Sequence, residues 1–178
     1  MELQRVVYKT WVNAIKKAMA DKINEYFSPY MGKVNIHTEE MEQGFERPAF
    51  FILMGYISTD KLLNRNYLYS YSMRVRYHAD DKEDTGFAES EYDELSAVGE
   101  ILTEALREIL LPVGGIDNTD KLIVRETNTN FAPSENKKVL IFQTTYQLTL
   151  SEQQHIDLIR SLEADVHVKD YVNEKGEN

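Results

Sequence analysis

The sequence predicts one α+β domain, with a mostly antiparallel mixed sheet of about four or five strands and two main amphipathic helices packed on it. Residues 67–78 alternate apolar and polar side chains, with Leu68 as the one apolar residue on the polar face, which is typical of an antiparallel strand with one buried face. Residues 3–27 and 88–110 carry apolar side chains every three or four positions, which is helical spacing. Hairpins combined with amphipathic helices favour helices layered on one sheet face.

The first helix is predicted over Leu3–Phe27, with Pro29 and Gly32 ending it. Residues 1–22 hold five basic and two acidic side chains, so this part of the helix carries a local charge of +3. The alternation in Val34–Thr38 predicts a short strand after the helix.

The segment Ala49–Ile57 is continuously apolar, so the strand predicted there is expected to be buried on both faces. It forms a hairpin with the alternating strand 67–78 through the polar stretch Asp60–Asn66. The tyrosines of that second strand share one face, where packing under the helices is favoured over stacking on nucleic-acid bases. Arg74 and Arg76 lie on its polar face.

The second helix is predicted from about Ala88 to Leu110, where Pro112 and Gly114-Gly115 end it. Residues 80–108 hold eleven acidic and two basic side chains, a local charge of −9. Acidic residues near the first turns of a helix also suit its dipole. The following elements are a strand, a polar loop, a long strand that is expected to protrude, and a short helix: Lys121–Thr127, Asn128–Lys137, Lys138–Leu150 and Ser151–Glu163.

The 178 residues fit one domain over 1–150, with a C-terminal extension over 151–178 that ends in a disordered tail. The net charge of −10 argues against a general nucleic-acid-binding module, because phosphate neutralisation needs a basic face. The absence of cysteine excludes disulfides, thiol nucleophiles and cysteine-based metal sites. No apolar run approaches the ~20 residues of a membrane-spanning helix, so a soluble protein is predicted.

No catalytic, cofactor or metal site is predicted, since the chain lacks GxSxG, GxxxxGK[ST], GxGxxG and HExxH. Two histidine–carboxylate groups invite a metal or catalytic interpretation, and solvated strand ends are the favoured explanation of both. These groups are His37 with Glu39, Glu40 and Glu42, and His78 with Asp80 and Asp81. A small metal-dependent hydrolase built on either is the minor alternative.

The opposite charges of the two helices are complementary if copies of the chain pack head to tail, a contact that closes into a ring. Two solvated helix faces of opposite sign explain the same pattern without any assembly. Both interpretations stay open on composition alone.

Two stretches resemble the phage tail terminator (tail completion) proteins of tailed phages and prophages of Gram-positive bacteria. They are IHTEEMEQGFERPAFFILM (Ile36–Met54) and NRNYLYSYSMRVRYHAD (Asn64–Asp80). The resemblance covers about residues 1–150. The residues that match the family pattern are Glu42, Gln43, Gly44, Phe45, Pro48, Phe50, Phe51, Arg65, Tyr67, Tyr71, Arg76 and Tyr77.

The resemblance implies a virion structural protein without enzymatic activity, assembled in the host cytoplasm as a ring, typically a hexamer, at the head-proximal end of the tail tube. Such a ring stops tube growth and joins the tail to the head, with the tail-tube protein and a neck or head-completion protein as partners. DNA passes through it without specific binding, and no membrane is involved. A neck or head-closure connector between portal and tail is the main alternative. The candidate interface residues are Lys9, Lys16, Lys17, Arg65, Arg74, Arg76, Glu91, Glu94 and Glu104.

Overall fold

The computed structural model describes residues 11–39, 44–80, 88–112, 121–134 and 138–153. These residues form two α-helices, six strands and a short 3₁₀ turn at Leu63–Arg65. In chain order the helices and strands are α1 (Trp11–Met31), β1 (Asn35–His37), β2 (Ala49–Lys61), β3 (Asn66–His78), α2 (Ala88–Ala105), β4 (Glu108–Pro112), β5 (Lys121–Pro133) and β6 (Val139–Ser151). No helix within these ranges is long and apolar enough to cross a membrane.

The six strands form one mixed sheet in the order β1-β2-β3-β6-β5-β4. The pair β1–β2 is parallel, and all the other neighbouring pairs are antiparallel. The predicted α+β class is therefore confirmed, with six strands instead of four or five. We call the sheet face that packs against both helices the helix face, and the opposite one the outer face.

The core lies between the helices and the helix face. Strand β3 supplies alternate buried side chains, among them Met73, Val75 and Tyr77, each with no exposed surface. Helix α1 covers them with buried apolar side chains at helical spacing, which are Ile15, Met19, Ile23 and Phe27. Helix α2 adds Leu95, Val98 and Leu102. The assignment of the β3 tyrosines to the core is thus confirmed for Tyr69, Tyr71 and Tyr77.

The end of α1 differs from the prediction at one residue. Pro29 lies inside the helix, which continues to Met31. In this last turn the missing proline N–H removes a single helical hydrogen bond, so the turn tolerates it. Gly32 does end the helix: it takes a left-handed conformation with φ 68°, and its N–H donates to the Ser28 carbonyl at 2.9 Å.

Helix α2 ends at Ala105 and not at Leu110, and the last three residues of the predicted helix, 108–110, form the first part of strand β4. Ile109 and Leu111 are fully buried while Leu110 is 41% exposed, an alternation of period two. Because Ile109 also fits helical spacing from Leu102, the apolar pattern did not separate the two structures. Pairing with β5 supplies backbone hydrogen bonds to Glu108–Pro112, and these stabilise the segment as a strand.

Strand β5 continues to Pro133. The prediction of a polar loop over Asn128–Lys137 was therefore wrong for residues 128–133. Its second half pairs with β6 despite its polar composition. The Thr129 hydroxyl lies 3.1 Å from that of Thr144, and the Thr127 hydroxyl donates to the Thr145 carbonyl at 3.2 Å. These contacts replace the apolar packing that usually marks a strand in a sequence.

Strand β2 is buried on both faces only over its first four residues, so the prediction of full burial was wrong for its second half. Met54, Tyr56 and Ile57 are 45%, 62% and 43% exposed. Parallel pairing with β1 reaches only from Ala49 to Phe51, which leaves the rest of this β2 edge unpaired among the described residues. Strand β6, which was expected to protrude, pairs with β3 along its whole length instead. Of the helix predicted over Ser151–Glu163, the part after residue 153 lies outside the described residues.

Candidate functional site

The polar face of β3 forms the centre of the outer face, where the two arginines predicted there lie side by side. Arg74 is paired across the sheet with Leu53 on one side and Gln143 on the other. Arg76, two residues along the strand, is paired with Phe51 and Ile141. Both side chains are half-buried. The register therefore places a cationic row in the middle of a sheet face that neither of the two described helices covers.

A pocket of about 140 Å³ opens on this face beside Arg74. Four strands contribute to its wall, and its polar lining residues on the outer face are Tyr56, Ser72, Arg74, Asn128, Asn130, Gln143 and Thr145. A β-bulge at Gly55 shifts the β2–β3 register between Met54 and Tyr56, which turns Tyr56 toward the outer face. A side chain at Gly55 would lie 3.2 Å from the Ser72 carbonyl oxygen, so the close approach favours glycine.

The charge of Arg74 is uncompensated among the described residues. Its Nε is buried and has no hydrogen-bond partner. The residues that line the pocket include no carboxylate. Surface arginines of the same chain are paired, for example Arg107 with Glu104 at 2.8 Å and Arg125 with Glu108 at 3.6 Å. A half-buried cation without a counter-ion costs free energy, so this site is electrostatically prepared for an anionic group.

The basic candidates on α1 behave differently from one another. The Lys16 ammonium donates to the Thr38 carbonyl at 2.7 Å, which ties the helix to the end of β1. Lys17 is exposed and so offers its charge to solvent or to a partner. Lys9 lies outside the described residues. Of the predicted basic helix face, Lys17 is therefore the described member best placed for an intermolecular contact.

The acidic candidates on α2 are partly engaged within the chain. Glu94 accepts a hydrogen bond from the Tyr77 hydroxyl at 2.9 Å. Burial and the negative charge of Glu94 raise the pKa of Tyr77, so this tyrosine stays a proton donor. Glu104 pairs with Arg107 one turn later. Glu91 lies in α2, and its side chain is outside the described residues.

Arg65 lies at the tip of the β2–β3 hairpin, where both Asn64 and Arg65 take left-handed backbone conformations. Its guanidinium is 3.5 Å from the Glu152 carboxylate, and the arginine side chain is 82% exposed while that of Glu152 is 39% exposed. An exposed pair of this kind contributes little to stability. The adjoining Leu63 is 88% exposed, so the hairpin tip presents an apolar side chain beside a charged one.

The two candidate histidines meet in one aromatic cluster on the outer face, which the sequence did not suggest. His37 stacks on Phe51 with the ring centroids 4.8 Å apart, and His78 contacts the edge of the same phenylalanine at 5.3 Å. Phe45 covers both Phe51 and His78, at 4.8 and 5.0 Å. The turn that carries Phe45 therefore folds over this end of the sheet.

The cluster is a poor metal site. Burial and the positive charges of Arg47 and Arg76 lower the pKa of His78, so its environment is cationic and not the carboxylate pair considered for it. The described residues contain no group of three or more side chains able to hold a metal ion. Glu40, Glu42 and Asp81, which completed the predicted groups, lie outside the described residues. The arrangement supports packing and binding of anionic groups better than acid–base chemistry.

Sequence reasoning found Arg74 but not its pocket. The wall depends on Asn128 and Asn130, which belong to the part of β5 that was predicted as a loop. Strand register also decides which side chains meet there, and a single sequence does not specify pairing between distant strands. The alternating polar face of β3 was the one available signal.

Comparison with known proteins identifies the family. The model of the family described as "Phage tail terminator protein" matches residues 14–157, which includes all six strands and most of α1. The chain belongs to the phage tail terminator family. It is thus a structural protein of the phage tail and a component of the virion that assembles with other tail proteins. The Gram-positive host implied by the resemblance stays a prediction.

A solved structure titled "Virion of native gene transfer agent (GTA) particle" contains a similar chain. The identity is 9% and the TM-score is 0.40, over 74% of this chain and 90% of that one. No curated protein matches the sequence.

Proposed function

We propose that the protein closes as a ring, a hexamer by the family resemblance, on the head-proximal end of the tail tube. There it stops polymerisation and offers the surface that joins the tail to the head. The observation that carries this proposal is the family match over residues 14–157. Two features of the fold support it: an unpaired strand edge on one side of the molecule, and two sheet faces of different chemistry.

Among the described residues, the second half of β2 has an unpaired edge, with Met54, Tyr56 and Ile57 exposed along it. A strand edge with free backbone groups and apolar side chains is a ready surface for another chain. The two sheet faces differ in chemistry, so they offer unlike surfaces to neighbouring copies. A head-to-tail arrangement joins unlike surfaces, and it forms a ring when the rotation between copies closes.

Polymerisation of the tail-tube protein in the presence of the purified chain tests the proposal. The chain is added in an amount that provides one ring per tube. It is expected to shorten the tubes and to be found at one end of each in electron micrographs. Tubes of unchanged length with no end-bound density would contradict capping. Binding to portal or neck protein but not to tube ends would favour the connector alternative instead.

A further inference from the structure

We propose that the Arg74 pocket receives a carboxylate from helix α2 of a neighbouring copy of this chain. The inference rests on the proposed ring and names the contact that closes it. It joins the outer face of one copy to the helix side of the next. Among the described residues, neither Arg74 nor the exposed α2 carboxylates Asp93 and Glu100 has an ion-pair partner within its own chain.

The pocket has the chemistry of a carboxylate site. Among the described residues that line it, Arg74 contributes the one formal charge and no side chain is acidic. Around the arginine, Asn128, Asn130 and Gln143 supply amide donors, and Ser72 supplies a hydroxyl. A carboxylate has four lone-pair sites and accepts from an arginine and from amides together. A neutral ligand would leave the arginine uncompensated.

The pocket is large enough for the end of an acidic side chain. Its volume of about 140 Å³ far exceeds the ~10–15 Å³ that one water requires on the same measure. Its opening lies on the outer face, away from α1 and α2, so a side chain of the same chain's helices cannot enter it. Within the described residues, the helices of the same chain therefore supply no occupant for this pocket.

Helix α2 carries the complementary surface. Asp93 and Glu100 are exposed and two helical turns apart, so they lie on the same side of the helix. Ala97, between them, is also exposed and leaves room for a partner to approach. Glu94 and Glu104 already have partners in Tyr77 and Arg107. Asp93 and Glu100 are consequently the described α2 carboxylates that are best placed to reach a second copy.

The two surfaces lie on opposite sides of the sheet, because α2 packs on the helix face and the pocket opens on the outer face. A contact between them is heterologous, which is the type of contact that builds a ring when the rotation between copies closes. Charge complementarity of this kind also fixes orientation, since pairing two outer faces would bring two Arg74 side chains together. Self-pairing of like faces is thereby disfavoured.

Charge reversal tests the contact on the assembly itself. The variants are Arg74→Glu, the pair Asp93→Arg with Glu100→Arg, and the combination of all three. Arg125→Glu is the matched control, because Arg125 is a largely exposed arginine whose partner Glu108 lies on β4, away from the pocket. The readouts are the fraction of tail-tube ends that carry the chain and the mass of the chain in solution.

Arg74→Glu and the α2 variant are each expected to lower ring formation at least about tenfold, whereas Arg125→Glu leaves it within about twofold. The combined variant is expected to regain most of the loss, because the reversed charges attract again. If Arg74→Glu behaved like Arg125→Glu, the pocket would have no role in assembly and the proposal would be overturned. Loss in Arg74→Glu without recovery in the combined variant would overturn α2 as the source of the carboxylate.

A second measurement separates failure of the pocket from failure of the ring. Sodium acetate is titrated into the full chain at constant ionic strength while the Arg74 Nε–H signal is followed by NMR, with Arg74→Lys to assign it. A saturable shift with acetate, absent with chloride, is expected even if the chain caps no tubes. No shift, in a chain that does cap tubes, would reject the carboxylate site and leave the proposed function standing.

Discussion

The two faces of strand β3 differ although they belong to the same thirteen residues. The helix face consists of buried tyrosines, a methionine and a valine, and it forms the core with both helices. The outer face carries Leu68, two serines, two arginines and His78, and neither described helix covers it. One face therefore maintains the fold, while the other is available for a partner. We therefore expect substitutions on the helix face to lower stability, and substitutions on the outer face to impair assembly with little loss of stability.

The largest effect on folding is expected from Met73→Ala. Met73 is fully buried on the helix face, so truncation leaves a cavity and costs about 2–5 kcal/mol of unfolding free energy. Ser72→Ala, one residue away on the outer face, is the control and should change stability by less than about 0.5 kcal/mol. Urea unfolding followed by the fluorescence of Trp11, the single tryptophan, measures both. Similar losses in the two variants would contradict the division between the faces.

A smaller loss is expected from Tyr146→Phe, which probes a hydrogen bond on the helix face of β6. The Tyr146 hydroxyl donates to the Leu106 carbonyl at 2.8 Å in a buried setting, and so fixes the turn between α2 and β4. Leaving that carbonyl unpaired costs about 1–3 kcal/mol. Tyr30→Phe, at a tyrosine that is 77% exposed, is the control. If Tyr146→Phe left the free energy of unfolding unchanged, the turn would not depend on this hydrogen bond.

We expect His78, on the outer face, to make the stability of the fold depend on pH. The folded state lowers the pKa of His78 through burial and through Arg47 and Arg76, so the unfolded chain takes up the proton first. Stability is then complete above the ordinary histidine pKa of about 6.5 and falls as the pH drops below it. His78→Gln should flatten the fall in Tm between pH 7.5 and 5. An unchanged slope would mean that His78 is not its source.

The smallest effect on folding is expected from Arg74→Gln. Because Arg74 has no partner for its charge among the described residues, its removal should leave the unfolding free energy within about 0.5 kcal/mol or raise it slightly. Arg125→Gln, which breaks an exposed pair with Glu108, serves as the comparison. A loss above about 1 kcal/mol for Arg74→Gln would assign this arginine to the fold and remove it from the binding face.

The sequence was sufficient for the parts of the fold whose pattern has one structural interpretation. Strict alternation identified β3 and its buried tyrosines, and spacing of three and four identified both helices. It failed where two structures share a pattern: Ile109 fits both the end of a helix and strand β4. It failed again at Asn128–Pro133, where a polar segment becomes a strand because β6 supplies a pairing edge.

The candidate site was predictable only in its parts. Arg74 was placed on a polar strand face, but the pocket depends on the register of four strands and on the bulge at Gly55. The engagement of Lys16, Glu94 and Glu104 inside the chain likewise depends on tertiary contacts that composition does not contain. A charge count therefore identified complementary surfaces without identifying which of their side chains are free.

The length distribution of tails in particles from which this chain has been deleted tests the central claim most directly. A protein that ends tube growth is expected to leave tails of abnormal and variable length that are not joined to heads, with normal particles restored when the gene is supplied in trans. Uniform tails of normal length, attached to heads in the absence of the chain, would contradict the assignment of tube capping to this protein.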